Sequence, residues 1–267
     1  MKIKARALTF GLSIILMLSI TGCGVGGNEK YRVSDRLAQQ EFCVAFRQGD
    51  KAGDAVVAAL KVLQASGTVT ELSNKWFGED VSLLKGDETA LKGVELPAEK
   101  RTFIVGYDGG RLPFSGTSAS GMAVGFDVEL ARAVCKELGW KVKFLPIDVS
   151  QATVELGSGN VDCVWGGFVY DETNSDIHQS PVYLKNTVVL AALAGSGIRG
   201  IGSLSGKTLT LSENAYFAAV LEGSKGLQSK PEYIVKVPGG TEGCFRALND
   251  GSCAAIITDL AALNYYK

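Results

Sequence analysis

A chain of 267 residues with 46% apolar and 21% charged residues is long enough for one large domain or two medium lobes. Its formal net charge of −1 excludes the basic field that nucleic-acid binding requires. One histidine, His178, and the lack of any CxxC spacing give no metal signature, and the sequence implies no cofactor.

The first residues form a predicted signal peptide, residues 1–22. Lys2, Lys4 and Arg6 precede the apolar run "ALTFGLSIILMLSI", which is short for a membrane span. The run ends in "ITGC", which resembles the lipobox of bacterial lipoproteins. By that resemblance Cys23 is lipidated and anchors the protein to the extracytoplasmic face of a bacterial cell membrane, with residues 23–30 as a flexible tether. The alternative is an ordinary signal peptide with an incidental cysteine.

Five cysteines follow Cys23, and an odd number cannot all pair within one chain. Cys135 and Cys163 lie in apolar stretches, where we expect small core residues. Cys244 and Cys253 are candidates for a disulfide between a helix and the following strand. The sequence leaves that pairing open.

Residues 54–76, "DAVVAALKVLQASGTVTELSNKW", are compatible with a helix that ends at Gly78 in "KWFGED". Such an ending is unexpected so early in the chain. Residues 81–100 carry two glycines, a proline and several charges, and we predict a linker with an r.m.s. reach of about 25 Å if flexible. A short helix within "DETALKG" is an open alternative.

From residue 101 the chain alternates strand and helix signals, which favours an α/β fold with a largely parallel sheet. The first series is strand "TFIVGY", helix "GFDVELARAVCKELGW", strand "KVKFLPI", a helix around "QATVELGSG", strand "VDCVWGG" and a long loop to "SPVY". The second is strands "TVVLAAL" and "KTLTL", a helix around "AYFAAVLEG", strand "YIVKV", a helix around "EGCFRALNDG" and strand "AAIITD".

Two such series predict two lobes with a cleft between them, the geometry of hinge closure around a small solute. Parallel strands present their C-terminal ends to ligands at the point where strand order reverses. The strand ends "GYDGG", "VWGGF" and "IITD" are therefore where we expect a site.

An ordered set of landmarks in residues 101–267 resembles the family 3 solute-binding proteins, the extracytoplasmic receptors of polar amino-acid ABC importers. The landmarks are "VGYDGGRLPF", "GFDVELARAVCKELGW", "ELGSGNVDCVWGGF", "SPVYLKN", "SLSGKTLTL" and "ALNDGSCAAIITD". The resemblance implies a two-lobed periplasmic-binding-protein-like fold of type II. It also implies a monomer without enzymatic activity that binds a small polar solute, most simply an amino acid, and delivers it to an ABC transporter permease.

In that family the chain continues past "IITD" and ends in a motif like "KWFGED", which stands here at residues 75–80. The resemblance therefore implies a circular permutant. In it, lobe 1 is residues 47–188, including the linker, and lobe 2 is residues 28–46 plus 189–267. Permutation is tolerated where old termini lie close and the new cut falls in an exposed loop. A truncated tandem of two binding domains is the competing explanation.

A bound amino acid needs an acceptor for its ammonium and donors for its carboxylate, since burying either charge unpaired is costly. By resemblance Asp259 accepts the ligand's ammonium and Asp108 contacts the ligand from the opposite lobe. The structural alternatives are a helix N-cap for Asp259 and a turn residue before Gly109 for Asp108.

The expected carboxylate partner departs from the family pattern. The family's arginine after the "VWGGF" strand is replaced by Thr173, and a loop of small residues in lobe 2 becomes Asn214, Ala215 and Tyr216. Our hypothesis is that Arg111, where the family has a stacking aromatic ring, supplies the missing positive charge. The alternative makes Arg111 a solvated loop residue.

The remaining candidate ligand-binding residues follow the same strand exits. They are Trp165, Gly167, Phe168, Tyr170 and Tyr216, and the four aromatic residues among them are expected to form a pocket. The differences from the family pattern at Thr173 and at residues 214–216 also favour a second function, that of a degenerate or sensory lipoprotein with a ligand other than an amino acid. A third, a dehydratase-type enzyme on the same fold, finds little support, because we expect His178 to be a solvated residue in a polar loop.

Overall fold

The computed structural model describes residues 29–95 and 102–267; the predicted signal peptide and Cys23 lie outside the described residues. The strands are β1 (Tyr31–Phe42), β2 (Ala45–Arg47), β3 (Thr102–Tyr107), β4 (Gly110–Arg111), β5 (Ser115–Thr117), β6 (Ala123–Val124), β7 (Lys141–Pro146), β8 (Cys163–Val164), β9 (Ile177–Gln179), β10 (Leu184–Leu193), β11 (Thr208–Ser212), β12 (Tyr233–Val237) and β13 (Ala255–Asp259). The helices are α1 (Ala52–Ala65), α2 (Thr68–Phe77), α3 (Phe126–Glu137), α4 (Ala152–Gly157), α5 (Ala215–Glu222), α6 (Lys225–Ser229), α7 (Gly240–Asn249) and α8 (Leu260–Tyr265), with short 3-10 turns at Val149–Gln151 and Ile201–Leu204.

Lobe 1 is built on a five-stranded sheet in the order β7-β3-β8-β2-β9. β3 lies parallel to both β7 and β8, while β2 lies antiparallel to β8 and β9. Phe103 and Val105 of β3 are fully buried in one core, and Ile104 packs half-buried against another, as expected for a strand covered on both faces. Helices α1, α2 and α3 pack together beside this sheet and close its core.

The predicted helical run before "KWFGED" is two helices, α1 and α2, not one. Gly67 separates them with φ +83°, a left-handed conformation that suits glycine because it has no Cβ. Gly78, with φ +80°, ends α2 as the sequence indicated. Within residues 29–95 and 102–267 no single helix has the length and apolarity of a membrane span; α1 and α2 together reach both, but with an 81° bend.

Lobe 2 is built on a second five-stranded sheet in the order β1-β10-β13-β11-β12. β11 lies parallel to β12 and β13, whereas β10 lies antiparallel to β13 and β1. Apolar residues of β10, β11 and β13 fill cores on both faces of this sheet. The long antiparallel pair of β1 and β10 leads from lobe 2 to lobe 1, because β2 follows β1 after two residues.

Strand pairing shows where the chain passes from one sheet to the other. Ala45 and Phe46 pair in the lobe 1 sheet, although the sequence placed residues 28–46 in lobe 2. Leu184 to Val188 pair with β1 in the lobe 2 sheet, although the sequence placed them in lobe 1. Both differences are a few residues, because hydrophobic patterning does not mark where a continuous strand leaves one sheet for another.

The first and last described parts of the chain pack together. Tyr31 lies edge-on to Phe245 with ring centroids 5.0 Å apart, and Phe245 stacks on Tyr266 at 4.5 Å. Trp76, from the "KWFGED" motif, stacks on Tyr265 at 6.0 Å. Residues 31–95 therefore complete both lobes around residues 102–267.

Several local expectations are corrected. Residues 81–95 pack on lobe 1: the amide of Leu83 donates to Tyr183, and a Cβ on Gly86 would lie 2.8 Å from Ala65. This part of the linker is not a flexible tether, and "DETALKG" forms turns instead of a helix. His178 lies in β9 with its ring 6.1 Å from Phe46, so it is not in a polar loop.

Cys43, Cys244 and Cys253 are free thiols. Cys244 and Cys253, the candidate pair, are both buried and unbonded, so the disulfide alternative is wrong. Burial raises the pKa of the Cys244 thiol to about 12, which leaves it protonated and unreactive at neutral pH. Cys135 and Cys163 are core residues, as the apolar stretches around them predicted.

Candidate functional site

An ion pair joins the two lobes at the centre of the cleft. Arg111 ends β4 in lobe 1, and Asp259 ends β13 in lobe 2. The Arg111 Nε and Nη2 atoms each lie 3.0 Å from one Asp259 carboxylate oxygen, the two-point geometry that suits a planar guanidinium. The side chains are 1% and 0% exposed, so Arg111 is not a solvated loop residue.

The remaining contacts of Arg111 also lie inside the protein. Nη2 donates to Gln40 Oε1 at 2.7 Å, and Nη1 donates to the Gly167 carbonyl oxygen at 3.1 Å. Burial alone would lower the pKa of Arg111, but the adjacent Asp259 carboxylate raises it, so the guanidinium stays charged. Four aromatic rings surround it at 4.9 to 5.8 Å, those of Phe42, Phe114, Tyr216 and Phe217.

Two buried amides that the sequence did not single out complete this cluster. Asn186 donates through Nδ2 to Asp259 at 2.7 Å and to Gln40 at 2.8 Å. Gln40 lies on β1 and Asn186 on the paired strand β10. A polar residue in a strand ordinarily indicates a solvent-facing position, so the only signal was that Asn186 ends the landmark "SPVYLKN". The pair of strands therefore supplies neutral partners for both charges.

A second polar contact joins the lobes beside the first. Asp108 accepts a hydrogen bond from the Gly110 amide through Oδ1, the turn geometry proposed as its structural alternative. Its other oxygen accepts from the Asn214 side-chain amide of lobe 2. Burial raises the pKa of Asp108, against the opposing effects of the Gly110 amide and Arg111. Asp259, by contrast, begins α8 without a side-chain cap bond.

The lobes touch through backbone at two glycines. A Cβ on Gly110 would lie 3.0 Å from the Gly240 Cα atom, and a Cβ on Gly240 would overlap the Gly110 carbonyl oxygen. Gly240 also has φ +65°. With the Arg111–Asp259 pair, this contact means that the described conformation is closed.

A cavity of about 430 Å³ opens beside the ion pair, within the volume range of small-molecule sites. Its walls come from both lobes, residues 148–150 and 167–171 on one side and residues 214–216 and 219 on the other. Of the predicted site residues, Gly167, Phe168, Tyr170 and Tyr216 line it. Gly167 joins the cavity to the ion pair because its carbonyl accepts from Arg111.

The other candidate residues lie elsewhere. Trp165 is 1% exposed and packs in the lobe 1 core, its ring 6.3 Å from that of Tyr183, so it does not line the cavity. Thr173 is exposed, and both its amide and hydroxyl donate to Asp171. The structure thus brings Arg111, Asp108 and Asp259 to one place and separates them from Trp165. Among the described residues no group of three or more side chains is arranged to hold a metal.

Comparison with known proteins shows that residues 103–262 match the model of one protein family. The family model for bacterial extracellular solute-binding proteins, family 3, matches residues 103–262, more than half of the chain. The match covers the strands and helices that carry Asp108, Arg111 and Asp259.

Two curated relatives match over a similar length. The arginine-binding extracellular protein ArtP of Bacillus subtilis (strain 168) is 28% identical over 172 residues, 63% of this chain and 65% of ArtP. A probable amino-acid ABC transporter-binding protein of Haemophilus influenzae is 26% identical over 175 residues, 62% of this chain and 63% of that protein. The chain thus spans a little less than two thirds of each relative.

Solved structures share the fold. A substrate-binding protein of an ABC uptake transporter from Streptococcus pneumoniae, with bound histidine, is 28% identical with a TM-score of 0.51, over 62% of this chain and 68% of that one. The ancestral amino acid-binding protein AncCDT-1, a precursor of cyclohexadienyl dehydratase, is 24% identical with a TM-score of 0.52, over 62% and 73%. These neighbours confirm the predicted α/β, two-lobed, type II fold.

Proposed function

This chain belongs to the bacterial extracellular solute-binding proteins, family 3, and from that premise we propose that it is the extracytoplasmic receptor of an ABC importer. It closes two lobes on a small polar solute and presents the closed form to a membrane permease. It acts as a monomer and without catalysis. Open and closed forms differ at the cleft, so ligand binding shifts their populations and thereby the docking on the permease.

The observation that carries this proposal is the cavity between the lobes. Phe168 and Tyr170 of lobe 1 face Tyr216 of lobe 2 across about 430 Å³. A solute held there contacts both lobes at once, which makes its affinity depend on closure. An amino acid is the first ligand class to test, because the curated relatives are named as amino-acid or arginine binders.

A specific observation favours a second candidate, a sensory or degenerate binding protein whose ligand is not an amino acid. Arg111 and Asp259, proposed as the partners of a ligand's carboxylate and ammonium, bind each other in the closed form. The same fold and cleft serve this role without transport.

We also propose that the mature protein is held at the membrane by lipid on Cys23, after removal of residues 1–22. Residues 1–28 lie outside the described part of the chain, and the proposal rests on the charged start, the apolar run and the "ITGC" motif. Metabolic labelling with a radioactive fatty acid tests it: Cys23→Ser should abolish incorporation and release the protein from the membrane.

The order of the chain supports a further proposal, that the protein is a circular permutant with lobe 1 as residues 47–188 and lobe 2 as 28–46 plus 189–267. The supporting contacts are those of Tyr31 with Phe245 in α7 and of Trp76 with Tyr265 in α8, which set the first described segment against the last two helices. In a truncated tandem these regions need not be neighbours.

A screen of small solutes tests the receptor function. Amino acids, amines, short peptides, organic acids and sugars are added to the purified protein, and the melting temperature is measured. A ligand at 100 times its dissociation constant adds about 2.7 kcal/mol to the free energy of unfolding, so one class should stand out. Small-angle scattering should then show that the ligand increases the closed fraction. A screen in which no solute changes either quantity contradicts the proposal.

A further inference from the structure

We propose that the ligand of the inter-lobe cavity is an organic cation without a carboxylate, an amine or quaternary ammonium compound, and not an α-amino acid. The inference rests on the proposed receptor function and specifies its ligand class. It follows from where the charges of the cleft lie. Arg111 and Asp259 bind each other inside the protein, whereas the open cavity is aromatic and acidic.

The positive charge of the cleft is already neutralised. Four hydrogen bonds fix the Arg111 guanidinium, two to Asp259, one to Gln40 and one to Gly167. Both charged side chains are almost fully buried. An amino acid could reach them only by breaking a desolvated, bidentate pair, and removing one partner from such a pair leaves an uncompensated buried charge.

The cavity beside the pair offers faces that suit a cation. Tyr170 and Tyr216 line it from the two lobes, and Phe168, whose side chain is largely buried in the lobe 1 core, borders the same wall. Aromatic faces attract organic cations, and cages of two or three rings are a recurrent way of binding quaternary ammonium groups. Tyr216 borders Arg111 as well as the cavity, with its ring 5.4 Å from the guanidinium carbon.

The charged side chains of the cavity wall are acidic. Asp148 and Asp171 line it, and no lysine, arginine or histidine does so among the residues that the structure describes. Asp171 accepts hydrogen bonds from the Thr173 hydroxyl and amide, which lower its pKa and keep the carboxylate ionised. A ligand carboxylate would meet two negative charges and no free positive one, whereas a cation would be neutralised.

Matched probe pairs test the ligand class directly. Agmatine and arginine share a guanidinium and an ammonium group, but only arginine has a carboxylate. Choline and glycine betaine share a trimethylammonium group, but only glycine betaine has a carboxylate. Titration calorimetry on the wild-type protein should show at least one carboxylate-free probe binding about tenfold or more tighter than its carboxylate partner.

Two cavity variants locate the binding. Tyr170→Ala removes a ring that is 40% exposed, and Asp171→Asn removes a charge, so neither disturbs the core. Each should weaken the bound probe by about three- to tenfold. The matched controls are Tyr233→Ala, 61% exposed on β12, and Asp176→Asn, exposed outside the cavity wall; both should bind the probe as the wild type does.

The outcomes separate the two proposals. Equal or tighter binding of arginine or glycine betaine overturns the ligand class and leaves the receptor function standing. So does binding that is confined to solutes other than carboxylate-free organic cations, or a probe affinity that neither cavity variant changes. If no solute in the wider screen binds, the receptor function and the ligand class both fail.

Discussion

Arg111 and Asp259, 148 residues apart in the chain, form the buried contact that holds lobe 1 against lobe 2. Two nitrogen–oxygen distances of 3.0 Å and side chains of at most 1% exposure define it. Asn186 donates to Asp259, and Gln40 accepts from Arg111. Closure of the lobes is therefore coupled to the neutralisation of two charges that neither lobe could bury alone.

Loss of one charge of this pair should destabilise the protein. Arg111→Met leaves the Asp259 carboxylate buried without its cation, and we expect the free energy of unfolding to fall by about 3–5 kcal/mol. Urea denaturation measures it. The double variant Arg111→Met/Asp259→Leu should recover much of the loss, because no buried charge remains. As a control, Arg246→Ala breaks an exposed pair with Glu242 and should cost less than about 1 kcal/mol. An Arg111→Met cost no larger than the control's contradicts the account.

The glycine contact between the lobes should control closure. Gly240→Ala places a Cβ against the Gly110 carbonyl oxygen, so the closed form cannot be reached without backbone movement. We expect a larger radius of gyration in small-angle scattering. Gly239→Ala is the matched control, since it also has positive φ, +95°, but no atom of another residue lies within 4 Å of its Cβ position. Equal radii for the two variants would show that steric contact at Gly240 does not limit closure.

Stability should fall as the pH rises from about 4 to 7, and Asp127 is the cause. Burial raises the pKa of Asp127 to about 7, despite the hydrogen bond from Tyr183 and the nearby Arg111. In the unfolded chain its pKa is about 3.9. The folded state therefore favours the protonated acid. Its stabilising contribution is complete below about pH 4 and is lost as the pH passes the folded pKa, at up to about 1.4 kcal/mol per pH unit.

Asp127→Asn should remove this decline, so that the variant gains stability relative to the wild type between pH 5 and pH 7.5 in urea denaturation. Asp250→Asn serves as a control, because hydrogen bonds from Ser252 lower the pKa of Asp250, so its carboxylate is ionised throughout this range and the variant's stability relative to the wild type should not change between pH 5 and pH 7.5. If the difference in free energy of unfolding between the wild type and Asp127→Asn is the same at pH 5 and at pH 7.5, Asp127 does not have this role.

A reordered gene tests the permutation. Residues 102–267 followed by a short glycine–serine linker and residues 31–95 should give the same far-UV spectrum, melting behaviour and ligand profile as the original order, because the packed residues 81–95 are kept. The contacts of Tyr31 and Trp76 with the last helix and its neighbour are kept in both orders. A reordering cut between Ala58 and Ala59, inside a buried helix, should fail to fold. If the first reordering also fails, the tandem explanation gains instead.

Hydrophobic periodicity was sufficient for several of the elements after residue 101. Alternating strand and helix patterns from residue 101 predicted β3, α3, β7, α7 and β13 within a few residues. The reason is that a buried strand or an amphipathic helix is recognised from the hydrophobic pattern of consecutive residues. The landmarks around Asp108 and Asp259 also indicated the family and the cleft. Both kinds of signal are local in sequence.

Tertiary structure alone decided how the side chains were used. No local pattern indicates that Arg111 reaches Asp259, that Gln40 and Asn186 join them, or that Trp165 turns into the lobe 1 core. These partners depend on contacts between distant segments, and a long guanidinium side chain reaches any of several acceptors once the chain is folded. The sequence determined most of the elements after residue 101 and indicated that Asp108 and Asp259 lie at the cleft; only the packing of the two lobes decided that Arg111 and Asp259 meet each other and leave an aromatic, acidic cavity beside them.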